Sequence, residues 1–113
     1  MPLPSYDETH APLLTDAQKR LAERIGDLLR THKRGEDNAA KSAAIEKAYN
    51  LGGSTVRAMI HYLRTECRLP ICSSGRGYFW AATQDELDRC KAHLRARRNS
   101  IDKTLQEMEG VMV

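Results

Sequence analysis

No run of this 113-residue chain is long and apolar enough to span a membrane. The opening residues, Met1-Pro2-Leu3-Pro4-Ser5-Tyr6-Asp7-Glu8, have neither the basic start nor the apolar stretch of a secretory signal. Both absences point to a cytoplasmic protein, or a nuclear one in a eukaryote. Cysteine is scarce: Cys67, Cys72 and Cys90 cannot all pair within one chain, which argues for free thiols in a reducing compartment. The vocabulary of catalysis is thin as well. No nucleophile is set beside a base, no glycine-rich phosphate loop leads into a helix, and acids do not gather at metal-ligand spacing, so neither an enzyme nor a cofactor is expected. Cys67, Cys72, Cys90 and His93 have spacings a zinc site could use. Cys67 and Cys90 lie on apolar stripes, however, where cysteine acts as a small hydrophobe, and no metal is expected. Internal repeats and low-complexity tracts are missing too.

What remains is one domain's worth of chain with a mild basic excess, a formal net charge of +3. The excess is unevenly spread. Between residues 57 and 98, nine Lys or Arg (57, 64, 68, 76, 89, 91, 95, 97, 98) face four acids (66, 85, 86, 88). An anionic partner is the natural complement of such a surface.

Hydrophobic periodicity and punctuation divide the chain. Residues 1–14 carry three of the four prolines and no apolar period, which predicts an extended or disordered arm. Thr15-Asp16-Ala17-Gln18 is a capping box, and Ala17, Leu21, Ile25, Leu28 and Leu29 follow at helical spacing to about His32. After the polar turn Lys33-Arg34-Gly35-Glu36, a second helix fits Asn38 to Tyr49, with Ala40, Ala44, Ile45 and Ala48 facing inward. Asn50-Leu51-Gly52-Gly53 breaks it, glycine tolerating the positive φ of a helix end. Ser54 then caps a third helix to about Cys67, with Val56, Ile60, Leu63 and Cys67 as its apolar stripe. Ile71-Cys72-Ser73 and Tyr78-Phe79-Trp80-Ala81 read as strands joined by the tight turn Ser74-Gly75-Arg76-Gly77. Thr83-Gln84-Asp85-Glu86, a second capping box, opens a last helix carrying Leu87, Cys90, Leu94, Ile101, Leu105 and Met108, longer than the small body beneath it requires.

The predicted fold is therefore mainly α with a small β-hairpin. A winged helix-turn-helix spans residues 15–82, an arm (1–14) precedes it, and a long C-terminal helix (83–113) follows. The second helix of such a pair enters the major groove. Opposite Val56 and Ile60, the third helix presents Ser54, Arg57, Ala58, His61 and Thr65, flanked by Thr55 and Tyr62, with no acid before Glu66. Arginine can grip guanine by two bonds, and Ser or Thr can bond phosphates or base edges. Arg76 at the hairpin tip is placed to contact phosphate or enter the minor groove.

The run Ala44-Ile45, Tyr49-Asn50-Leu51-Gly52-Gly53-Ser54-Thr55-Val56-Arg57, Ile60-His61-Tyr62-Leu63-Arg64, then Leu69-Pro70-Ile71-Cys72-Ser73 and Gly75-Arg76-Gly77-Tyr78, resembles the N-terminal winged helix of biotin operon repressors and related regulators. It is also similar to small winged-helix proteins of phage and prophage origin. The resemblance covers roughly residues 20–82 and implies DNA binding through Ser54, Thr55, Arg57 and His61, with Arg76 on the wing. Two features depart from the family: the Gly52-Gly53 turn is looser, and no ligase or ligand-binding half follows.

The last helix carries Arg89, Lys91, Arg95, Arg97 and Arg98 without an intervening acid, charges that could neutralise phosphates. Leu94, Ile101, Leu105 and Met108 continue beyond the wing as a stripe suited to a symmetric homodimer, with packing back on the first helix as the competitor. The sequence thus predicts a double-stranded-DNA-binding transcriptional regulator. Two further readings are a phage-type replication or accessory protein on DNA, and a winged-helix protein-interaction module.

Overall fold

The computed structural model describes residues 13–113, so most of the expected N-terminal arm lies outside the described residues. The described chain runs as α1 (Asp16–His32), a 3-10 turn (Glu36–Asn38), α2 (Ser42–Tyr49), α3 (Gly53–Thr65), β1 (Ile71–Ser74), β2 (Gly77–Trp80) and α4 (Gln84–Glu109). No helix among the described residues is long and apolar enough to cross a membrane.

The capping box of α1 forms on both sides: the Gln18 amide donates to Thr15 Oγ1 (3.1 Å), and the Thr15 amide donates to Gln18 Oε1 (2.9 Å). The helix buries Ala22, Ile25, Gly26 and Leu29, while Ala17 stays exposed. Gly26 brings α1 close to its neighbours, since a Cβ there would stand 3.2 Å from Leu69 and 3.3 Å from Leu63. Val56, Met59, Ile60 and Leu63 of α3 meet the α1 stripe, and Ile45 of α2 and Ile71 of β1 complete the core. Burying such aliphatic side chains contributes roughly 1.5–3 kcal/mol each.

β1 and β2 pair antiparallel, Ile71 opposite Trp80 and Ser74 opposite Gly77, leaving Gly75 and Arg76 as the turn. Antiparallel strands alternate between residues bonded across the pair and residues facing outward. Tyr78 and Trp80 face outward from β1, and the segment between α1 and α2 takes up their bonds. The Ala40 and Tyr78 backbones exchange two hydrogen bonds of 2.8 Å. The Gly35 amide donates to the Trp80 carbonyl, and the Trp80 amide to the Lys33 carbonyl, both at 2.8 Å. The connector thus lies along β2 through two isolated bridges, Arg34–Trp80 parallel and Ala40–Tyr78 antiparallel.

This pairing corrects the second helix. It begins at Ser42, not Asn38, because the backbone of Ala40 is engaged with β2 despite its high helix propensity. Ala40 and Ile45 are buried as expected, but Ala44 and Ala48 are exposed, and Tyr49 takes the inward place one turn after Ile45. Two further corrections concern the turn into α3. The left-handed residue is Asn50 (φ 54), which ends α2, and neither glycine of the pair has a positive φ. Ser54 does not cap α3: the cap is Gly52, no side chain serves the helix start, and Ser54 sits inside the first turn. At its other end α3 stops at Thr65, two residues short of Cys67, and the chain reverses through Arg68 in a left-handed conformation (φ 54).

The N-terminus of α4 departs from the simple capping box. Thr83 Oγ1 accepts from the Glu86 amide (3.1 Å), but the Glu86 carboxylate reaches farther back. It accepts from the amides of Ala82 (2.8 Å) and Glu36 (3.0 Å), tying α4 to the 3-10 turn. These backbone donors hold its pKa below the ordinary carboxylate value. From Lys91 onward every residue of α4 is exposed, so the helix does not pack back on α1. The Cys72 thiol is buried in β1 and its pKa is pushed up to about 12, chiefly by burial, which keeps it protonated and unreactive at neutral pH. Cys67 and Cys90 are half-buried.

Gly77 combines a positive φ (124) with a close approach: a Cβ there would run into the Ala40 carbonyl. Gly77→Ala should therefore lower the unfolding free energy by about 2–4 kcal/mol, whereas Gly75→Ala, which meets open space, should change it by less than about 0.5 kcal/mol, both read by urea denaturation. A depressed carboxylate pKa stabilises the fold above the unfolded-state value and loses that contribution as pH falls through the folded-state value. Glu86→Gln should thus be less stable than the parent at neutral pH, and the gap in melting temperature should narrow as the pH falls below the ordinary carboxylate range.

Candidate nucleic-acid interface

Packing on two sides determines which residues of α3 remain free. Going round the helix, Val56, Ile60, Leu63, Met59 and Ala58 are buried, and Thr55 and Tyr62 are half-buried between them. The buried arc therefore exceeds half the circumference and is wider than the stripe read from the sequence. It removes Ala58, 3% exposed, from the predicted contact set and leaves Thr55 only partly available. Ser54, Arg57, His61 and Thr65 do lie together on the exposed side. The Thr65 hydroxyl donates to the His61 carbonyl (2.8 Å), so it has acceptor capacity left but its proton is engaged within the helix.

The exposed strip is bordered by one acid that the α3 sequence alone does not reveal. Glu46 of α2 accepts from the Ser42 hydroxyl (2.8 Å). A side chain grown on Gly53 would lie 3.5 Å from both the Glu46 carboxylate and the Arg57 guanidinium, so the two groups share the space over the start of α3. They do not close to ion-pair distance; among the described residues only Arg30–Asp27 and Arg76–Asp37 do. Most of the 18 Lys and Arg therefore have no counter-charge within that distance among the described residues.

Tyr62 marks the edge of the strip on the α1 side. Its hydroxyl donates to the Glu23 carboxylate (2.7 Å), which raises the phenol's pKa above its ordinary value, and Lys19 lies 5.6 Å from the ring centre.

At the hairpin tip, Arg76 is exposed and its guanidinium donates to Asp37 at 2.8 Å. Both partners are solvated, the Asp37 side chain being 91% exposed, and pairs of this kind contribute about 0–1 kcal/mol. Such a weak contact can be exchanged for a phosphate oxygen at little cost. Lys41, in the connector, donates from Nζ to the Gly75 carbonyl and adds a second cation beside the tip. Sequence reasoning missed it because residue 41 fell inside the predicted second helix, where nothing distinguished it.

Comparison of the chain with models of known families, with characterised proteins and with solved structures finds no match.

Arg64 looks like a further member of the basic face but serves the fold. Its Nε donates to the Ile71 carbonyl (2.8 Å), and a terminal nitrogen donates to Ser73 Oγ (3.2 Å). Of the α4 cations, Arg89 lines a cleft of about 180 Å³ with Ser73, Phe79, Glu86, Cys90 and His93, while Lys91, Arg95, Arg97 and Arg98 stand free in solvent. Leu94, Ile101, Leu105 and Met108 are about half to two-thirds exposed (48%, 59%, 56% and 64%), so the predicted stripe is uncovered in the single chain.

The two arginines separate by stability. Arg64→Ala should cost about 1–3 kcal/mol, because it strips a charged donor from a half-covered carbonyl. Arg76→Ala should shift the unfolding free energy by less than about 1 kcal/mol. Chemical denaturation of both variants checks this.

Proposed function

We propose that this chain is a winged helix-turn-helix protein that binds double-stranded DNA sequence-specifically, as a regulator of transcription. One observation carries the reading: α3 leaves uncovered a single strip, Ser54, Arg57 and His61, that has donors and positive charge and no acid on the helix itself. The strip begins in the first turn of α3, whose start has no side-chain cap, so backbone N–H groups there are free to meet an anion. The element order supports the same reading. A helix, a strand-like connector, two helices joined by a short turn and a hairpin follow one another, and the connector's bonds fix the hairpin beside the helix pair.

In this reading α3 enters the major groove. Arg57 makes the base contact with most information, because its planar fork matches the two acceptors of guanine. Glu46, sharing the space over the start of α3 with that guanidinium, places a negative charge beside it and disfavours a plain phosphate contact. Ser54 and His61 bond base edges or flanking phosphates. The hairpin follows the adjacent backbone with Arg76 and Lys41, the former leaving Asp37 for phosphate.

Selection of bound duplexes from a random pool, followed by titration at several salt concentrations, tests the proposal. Affinity should fall steeply with salt. Arg57→Ala should weaken the selected site by about 1–3 kcal/mol and relax preference at one or two positions. Arg76→Ala should weaken all duplexes alike and reduce the salt slope by about one. Salt-independent binding, or no enriched sequence together with unchanged affinity in Arg57→Ala, would sink the reading and favour a protein-interaction role.

A further inference from the structure

The outer part of α4 is a helix in an unfavourable state. Beyond Cys90 none of its residues is covered, so this stretch lacks the packing of an apolar face from which most helices in proteins draw their stability. Its charges make matters worse at the far end. The last turn contains Glu107 and Glu109 and no cation, so negative charge sits on the negative end of the helix dipole. The cations are gathered at Arg95, Arg97 and Arg98, about two and a half to four turns earlier, with Lys103 alone between. Before and after that cluster Leu94, Ile101, Leu105 and Met108 recur at seven, four and three residues, all on one side and all exposed.

We infer that α4 pairs with α4 of a second copy of this chain, and that the two helices run antiparallel, with Ile101 and Leu105 of each copy meeting at the two-fold axis. The spacing supplies a short seam: Ile101, Leu105 and Met108 alternate at four and three, the pattern two helices bury against each other, and Leu94 stands one heptad before Ile101. The charge order decides the direction. In a parallel pair, Arg95, Arg97 and Arg98 would lie alongside their own copies, and so would Glu107 and Glu109. Turned antiparallel about that axis, residues 95–98 of one helix lie level with residues 108–111 of the other, which brings Arg95, Arg97 and Arg98 alongside Glu109 on both sides of the axis. The cations then also meet the negative helix end that lacks them, and Leu94 falls level with Met112, just past the end of the partner helix.

The arrangement has a metric consequence. At about 1.5 Å per residue, pairing centred between Ile101 and Leu105 holds the two α4 N-termini on the order of 55 Å apart. The two bodies then sit at opposite ends of a helical rod instead of side by side. This inference stands independently of the DNA reading, because its test contains no nucleic acid.

Light scattering at hundred-micromolar concentration should give twice the chain mass. Ile101→Asp with Leu105→Asp should give the single-chain mass, with the melting of the remaining body retained by near-ultraviolet circular dichroism from Trp80. Direction is read by oxidation of cysteine variants, with linked peptides mapped by mass spectrometry. A mixture of Arg95→Cys and Glu109→Cys chains should yield the 95–109 link, and Leu94→Cys alone should yield no link to its own copy. A single-chain mass for the parent protein overturns the pairing. A dimer in which Leu94→Cys links to itself and the mixed pair does not overturns the antiparallel direction.

Discussion

The backbones of Tyr78 and Trp80 turn away from β1 and bond the segment between α1 and α2, and most of the architecture follows from those four hydrogen bonds. A two-stranded hairpin on its own is marginal in water. Here β2 has a partner on each edge, so the hairpin becomes the continuation of a small sheet whose other member is the connector. The connector in turn fixes where α2 can begin and how α2 meets α3. Gly77 lets the two backbones come this close, and Glu86 adds a tie from the far side by binding the amide of Glu36. Hairpin, connector and the start of α4 therefore move as one body with the helix pair.

Electrostatics are distributed differently on the inner and outer parts of the molecule. The ionic groups that organise the fold, Arg64 on the β1 carbonyl and Glu86 on two amides, use backbone partners at short range. The cations of the exposed α3 strip and of outer α4 have almost no carboxylates within ion-pair distance among the described residues. Charges of the first kind act through geometry and resist salt. Those of the second kind act at a distance and are screened by it. Substitutions among them should leave the fold intact, which makes the outer set usable for recognition.

Much of this was legible in the sequence, and the failures have specific causes. The α1 capping box, the α1 and α3 apolar residues, the hairpin and the long last helix all follow from local patterns, and the structure contains them. The start of α2 is not legible locally, because Ala39 and Ala40 favour helix and only the non-local bond to Tyr78 overrides that preference. Ser54 has the chemistry of a cap, but Asn50 ends the preceding helix and α3 begins one residue earlier, at Gly53. The exposed strip of α3 is mostly readable from a wheel, since Ser54, Arg57, His61 and Thr65 share one side. Ala58 is not, because a wheel drawn for one helix cannot show that a second face is also packed. Lys41 and Glu46 belong to elements remote from α3 in sequence, and only the fold brings them to its border.

The alternation that gives β2 two partners also decides what is left on the outer side of β1. Ile71 and Ser73, opposite Trp80 and Tyr78, direct their backbones away from the sheet. Arg64 occupies the Ile71 carbonyl, and the Ile71 amide is turned onto the Leu69 carbonyl. Ser73 is the one outward position without such an obstruction on its backbone, and a single residue is too short a template for another strand to register on. The β1 edge of the sheet is thus closed to growth. Copies of this chain can crowd together without adding strands at that edge.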